Sequence, residues 1–210
     1  TKLQARVADE GPQHPRTLQA DQAEQQGPEN QEPPVGHQRR IQRLQSAAQE
    51  LEAEQAGEYA EAKADFEKAV ELEPDRPGAC NNLAWFYVTA PESMRDPAKA
   101  LPLAVRVVER EPNNSSYRNT LGLVYYRLEQ FDKAVETLTP NTIDPQNTAV
   151  AYDWFFLSMA HSRLGNPAKA RECFEQAIQS TPDVPPDALN IDLNELKRFR
   201  EDAAALLTRP

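Results

Sequence analysis

The chain has 210 residues, a formal net charge of -10 and a pI near 4.9, with 39% hydrophobic and 27% charged residues but only 7 glycines and 2 cysteines. The negative charge disfavours nucleic acid, whose binding relies on Lys and Arg displacing condensed counterions. Cys80 and Cys173 lie too far apart to read as a disulfide framework or a zinc site, and no apolar run approaches the roughly 18 to 20 residues that cross a bilayer. Abundant Gln, Ala and Glu with scarce Gly point to an all-α protein without a membrane span, expected in the reducing cytoplasm.

Residues 1–36 come first. From Gly11 to Gly36 the sequence GPQHPRTLQADQAEQQGPENQEPPVG has almost no large apolar residues. Such composition cannot offset the entropy of ordering the chain, so a linker or loosely attached segment is expected. Helical order is predicted from His37, where Ile41, Leu44, Ala48 and Leu51 recur at helical spacing. The ordered body is expected over residues 37–183 as about four helix hairpins, followed by a C-terminal helix within 184–210.

Four segments in that body repeat one pattern. They begin at Gly57, Asp96, Glu129 and Gly165 and are anchored by Ala62, Ala100, Ala134 and Ala170, at spacings of 38, 34 and 36 residues. Four positions on stand Phe66, Ala104, Leu138 and Phe174, and closing prolines follow at Pro74, Pro112, Pro145 and Pro182. These are the second helices of hairpins, each with its stop. The first helices read NNLAWFY from Asn81, NTLGLVYY from Asn119 and WFFLSMAH from Trp154. Leu83, Leu121 and Leu157 align, and the next residue is always small: Ala84, Gly122 or Ser158. A small side chain there permits close approach of the paired helix. Tyr87, Tyr125 and His161 then share a packing position.

This spacing resembles the tetratricopeptide repeat, a helical hairpin of about 34 residues with the pattern W-x2-L-G-x2-Y, A-x3-F, P. The resemblance covers about residues 40–183 and is best in the last copy, through Trp154, Leu157, Ser158, Gly165, Ala170, Phe174, Ala177 and Pro182. The first copy keeps only Tyr59, Ala62, Phe66, Ala69 and Pro74. It implies a right-handed superhelical array of antiparallel helix hairpins. Two departures disturb the register: about four extra residues around Ala90-Pro91-Glu92-Ser93, and Thr139-Pro140-Asn141, where the proline must shorten a helix. Further upstream, Gly11, Pro12, His14, Pro15, Thr17 and Leu18 resemble the inter-repeat sequence of kinesin-light-chain-type repeats, which implies an additional, degraded repeat.

In the C-terminal helix, Asp192 three residues before Glu195 reads as a capping box, and Leu196, Phe199, Ala203 and Leu206 share one face. A capping helix is expected, since a terminal hairpin otherwise exposes its apolar face. This combination is also similar to bacterial multidomain proteins that join such arrays to a Ser/Thr kinase. That implies an alternative role as the regulatory or docking segment of a larger enzyme.

Catalytic motifs are absent from the sequence: there is no H-E-x-x-H, no G-x-S-x-G and no glycine-rich phosphate loop. No catalytic, metal or cofactor site is expected, and His161, Cys80 and Cys173 read as structural. The expected role is binding a protein or peptide, or another domain of a larger parent protein. By analogy with the family, the concave groove would be lined by Asn81, Asn82, Trp85, Val88 and Thr89 in the second copy. Asn119, Leu123, Tyr126 and Arg127 would line it in the third, and Phe155, Met159, Ser162 and Arg163 in the fourth. Amides suit a peptide backbone, rings an apolar side chain, and guanidinium groups a carboxylate.

Overall fold

The computed structural model describes residues 35–181 and 193–208, so the expectations for residues 1–34, including the degraded upstream repeat, lie outside the described residues. The chain divides into two compact units, Thr1–Glu52 and Ala53–Pro210. Among the described residues every regular element is helical.

Helix α1 (Val35–Leu72) runs without a break through Gly57. Where the repeat pattern places a first hairpin, there is one continuous helix. The reason is local: Ala, Glu, Gln and Lys dominate residues 47–70, and a lone glycine costs only about 1 kcal/mol relative to Ala. No proline intervenes before Pro74, just beyond the helix end. Within the first unit, Leu44 is 63% exposed and Ala48 is exposed too, so these two members of the expected apolar stripe are on the surface. In the second unit the later part of α1 meets the next helix through rings. Phe86 lies 6.4 Å from Tyr59 and 5.9 Å from Phe66, and Tyr87 Oη donates to Glu67 Oε1 at 2.8 Å.

Three hairpins follow. Helices α2 (Pro77–Thr89) and α3 (Pro97–Arg110) form the first, α4 (Ser115–Arg127) and α5 (Phe131–Leu138) the second, and α6 (Val150–Arg163) and α7 (Pro167–Ser180) the third. Prolines open α2, α3 and α7, where a missing N–H costs nothing. Asp96 caps α3 by accepting from the Lys99 amide, and Asn114 caps α4 by accepting from those of Ser116 and Tyr117.

The small residues do what their spacing suggests. Ala84 and Ser158 are fully buried, and Ser158 Oγ donates to the Ala170 carbonyl at 2.8 Å, tying α6 to α7. At Gly122 an added methyl would overlap the Leu138 side chain of α5. The anchor alanines Ala100, Ala134 and Ala170 are likewise fully buried. The two turns that keep the family register both need a left-handed residue. Gly165 supplies it with φ 73°, while Glu129 adopts φ 59° at the equivalent place.

Both departures in register are structured. The extra residues after α2 form a short 3-10 turn, Glu92–Met94, held by Arg95 Nε donating to the Ala90 carbonyl at 2.7 Å. Helix α5 ends at Leu138, well before Pro145, and a 3-10 segment, Thr139–Ile143, carries Pro140. Helix α8 (Leu193–Leu207) closes the chain, with Leu196, Phe199 and Ala203 buried.

Candidate functional site

Helices α2, α4 and α6 are the first members of successive hairpins, and α8 lies against them. It packs on α6 and α7, as a cap would, but it also reaches α2, two hairpins earlier. Phe199 has no exposed surface. Its ring stands edge-on to Phe156 at 4.6 Å, with Tyr152 at 5.9 Å and Trp85 at 6.4 Å. Arg198 Nη2 donates to the Thr89 carbonyl at 3.0 Å, at the C-terminal end of α2, and its guanidinium covers the Phe199 ring. An apolar face read as a cap is therefore also a plug in the surface expected to bind ligand.

The predicted groove residues separate into two groups. Asn81, Asn82, Trp85, Tyr126, Arg127, Ser162 and Arg163 keep some exposure, whereas Val88, Leu123, Phe155 and Met159 are core residues at 1% exposure or less. For these four the groove assignment needs correcting. Phe155 turns into its own hairpin and stands edge-on to Phe174 of α7 at 5.8 Å, and the other three belong to one continuous apolar core. Long apolar side chains on first helices gain more by filling helix crossings than by facing solvent.

What remains open is a cleft of about 270 Å³. Asn81, Asn82 and Trp85 come from α2, Ser116, Asn119 and Thr120 from α4, Asn147 and Ala149 from the following loop, Tyr152 from α6, and Glu195 from α8. Asn81 Oδ1 is buried there without a hydrogen-bond partner among the described residues. Asn119 is already engaged, its Nδ2 donating to Asp153 Oδ1 at 2.8 Å.

Asp153 was not singled out by sequence reasoning. It has no exposed surface and accepts from three amides: Asn119 and Asn141 on Oδ1, each at 2.8 Å, and Asn147 on Oδ2 at 2.7 Å. Arg118 Nε donates to Asn141 Oδ1 and Nη1 to the Pro112 carbonyl, each at 2.6 Å. Burial pushes the Asp153 carboxyl up to about 6, against the opposing pull of the three amides and Arg118. The network joins α4, the 3-10 segment and α6, and it reaches the lining of the cleft through Asn119 and Asn147. Its signal was a lone acid in the otherwise apolar VAYDWFFLSMA, after a loop rich in Asn.

At the other side of α8, cationic groups gather. Arg95 and Arg198 hold the adjacent carbonyls of Ala90 and Thr89, and Arg127 ends α4 beside them. Burial lowers the Arg127 pKa first, and the charges of Arg95 and Arg198 lower it further, with Asp202 of α8 opposing. Arg163 is drawn to Glu129 at 3.8 Å and over the Phe131 ring.

The residues weighed for chemistry are in packing positions. Cys173 is buried and its thiol pushed up to about 11 by that burial, which keeps it protonated. Cys80 donates to the Pro74 carbonyl and accepts from Arg106. The His161 pKa is lowered by burial and then by Lys169. Among the described residues no group of His, Cys, Asp and Glu could hold a metal ion, and no helix is long and apolar enough to cross a membrane.

Three family models described as tetratricopeptide repeat match residues 51–76, 92–139 and 151–184. The chain belongs to the tetratricopeptide repeat family. No curated protein matches the sequence. Among solved structures, the repeat array is similar to a chain from the functional characterization of Pseudomonas aeruginosa PilF, at 22% identity and a TM-score of 0.52, covering 75% of this chain and 71% of that one. It is also similar to MamA, at 16% identity and a TM-score of 0.50, covering 74% and 92%. At such identities the likeness shows the fold. The family is generally a non-catalytic interaction module, and its repeats make this chain a protein–protein interaction scaffold.

Proposed function

We propose that the scaffold binds a polypeptide on the face formed by α2, α4 and α6, entering through the asparagine-lined cleft. The observation that carries this reading is the convergence of Asn81, Asn82 and Asn119 on one side of the cleft, with Trp85 and Tyr152 beside them. Amide side chains match the alternating donors and acceptors of an extended backbone, and rings contribute area at low entropic cost. The unpartnered Asn81 Oδ1 would gain a donor from a peptide N–H. Asn82, exposed at the rim, offers a second amide without a core role.

The test is selection from a displayed peptide library on the full chain, repeated on Asn82→Trp. This substitution fills the cleft from an exposed position. A peptide consensus enriched by the wild type and lost with Asn82→Trp is expected. The same consensus from both chains, or none from the wild type, would overturn the cleft as the site.

A further inference from the structure

We propose that α8 is an exchangeable occupant of the concave face, and that the partner displacing it is an acidic amphipathic helix presenting one aromatic ring. This rests on the reading of that face as a polypeptide-binding surface, and it names the partner's chemistry and the competition it meets.

The seat is shaped for a helix. Trp85 comes from one hairpin and Tyr152 and Phe156 from another two places along; the three rings stand 6.2–6.4 Å from one another, and Phe199 of α8 packs on all of them. A side chain at spacing i, i+3 and i+7, as in Leu196, Phe199 and Ala203, fills it. Without α8 the three rings would form an apolar patch in the groove, so an occupant bearing an aromatic ring is demanded by the array itself.

The electrostatic match is poorer than the steric one. The end of α2 already holds Arg95, and α4 brings Arg127, yet α8 adds a third guanidinium, Arg198. Arg127 Nε and Arg198 Nε are both buried without partners among the described residues. Of the α8 carboxylates, Glu195 pairs with Arg198 at 3.6 Å, whereas Asp202 opposes the Arg127 charge without forming an ion pair with it among the described residues, so Arg127 and Arg95 are the cations that α8 leaves without a carboxylate. A helix with the same aromatic ring, no guanidinium at that place and carboxylates toward Arg127 and Arg95 satisfies both the rings and the charges.

Helix α8 nevertheless has the advantage of its tether. It belongs to the same chain as the array, so its return to the groove is an intramolecular event that a partner in trans does not share. A partner in trans must outcompete that local supply, which makes the groove selective for helices that correct the mismatch.

The experiment uses the full chain, labelled with ¹⁵N, and unlabelled 16-residue peptides of sequence 193–208: native, Arg198→Gln, Asp202→Lys and Phe199→Ala. Saturating native peptide is expected to shift the α8 amide signals of the chain toward those of free helix. The Arg198→Gln peptide, which keeps a donor for the Thr89 carbonyl, should bind at least threefold tighter than native. Asp202→Lys should bind at least tenfold weaker, and Phe199→Ala should not compete. In the Phe199→Ala chain the native peptide should bind at least tenfold tighter than in the wild type. If that variant fails to fold, the displacement seen in the wild-type chain decides alone. Unmoved α8 signals at saturation, or equal affinities for native and Asp202→Lys peptides, would overturn the proposal. So would a concentration-dependent dimer with exchanged α8, which would make a second copy the occupant. Library peptides that bind the cleft while α8 stays seated would sink this inference and leave the cleft reading intact.

Discussion

The hairpin of α6 and α7 and the hairpin of α4 and α5 are built on the same frame and held together differently. In the first, the family pattern is nearly complete, and the contacts are rings and small residues: Phe155 on Phe174, Ser158 under Ala170, Phe156 against Phe199. In the second, Pro140 ends the return helix early, and α5 has 8 residues against 14 in α7. The packing surface lost there is replaced by a polar network centred on Asp153, with Asn141 fully buried among its donors. Where the pattern is kept, apolar area supplies the cohesion. Where it fails, cohesion passes to a few hydrogen bonds that must all be made at once.

The largest effect that would break this contrast is Asp153→Ala. It strands three amide donors, two of them, Asn119 and Asn141, more than nine-tenths buried, and a loss of roughly 3–5 kcal/mol is expected in denaturant unfolding. A loss below about 1 kcal/mol would mean that the network is ornamental.

The pH dependence comes next. The Asp153 carboxyl titrates near 6 in the folded chain and near 3.9 unfolded, so the folded state holds the proton more tightly. The stability this gives is fully present below about pH 4 and is lost as pH rises through 6, a change of about 3 kcal/mol. Subtracting the profile of Asp153→Asn from that of the wild type over pH 4–7 should leave this falling curve, and a flat difference would contradict it.

Gly122→Ala probes the apolar side of the same hairpin. The new methyl overlaps the fully buried Leu138 at its Cγ as well as its methyl groups, so a loss of about 1–3 kcal/mol is expected. The matching change Ser158→Ala in the regular hairpin adds no volume and should cost only the hydrogen bond to Ala170, roughly 1 kcal/mol.

The smallest effect has the opposite sign. Glu129 occupies a left-handed turn position where the regular hairpin has Gly165. Its ion pair with Arg163 is long and exposed, so Glu129→Gly should raise stability by up to about 1 kcal/mol. A measured loss would show that the pair outweighs the strain.

Much of this contrast was legible in the sequence at particular residues. The anchor alanines, the small position at Ala84, Gly122 and Ser158, and the interruption at Pro140 are local features whose consequences are local. Asp153 was readable only as an oddity, because nothing in its spacing shows that Asn119, Asn141 and Asn147 converge on it. The residues read as lining a groove divide by exposure. Asn81, Asn82, Trp85, Tyr126, Arg127 and Arg163 lie at or near the surface, whereas Val88, Leu123, Phe155 and Met159 were drawn into helix crossings.

By itself the sequence determined the family, the small and anchor positions of the hairpins and the amphipathic face of α8, since periodicity, proline stops and small-residue positions act over one or two turns of helix. Tertiary structure alone decided two things. A buried acid took the place of missing apolar contacts, and α8 lay against α2 and α6 as well as at the end of the array. Each depends on which surfaces meet across tens of residues, and an apolar stripe specifies that it will be buried without specifying against what.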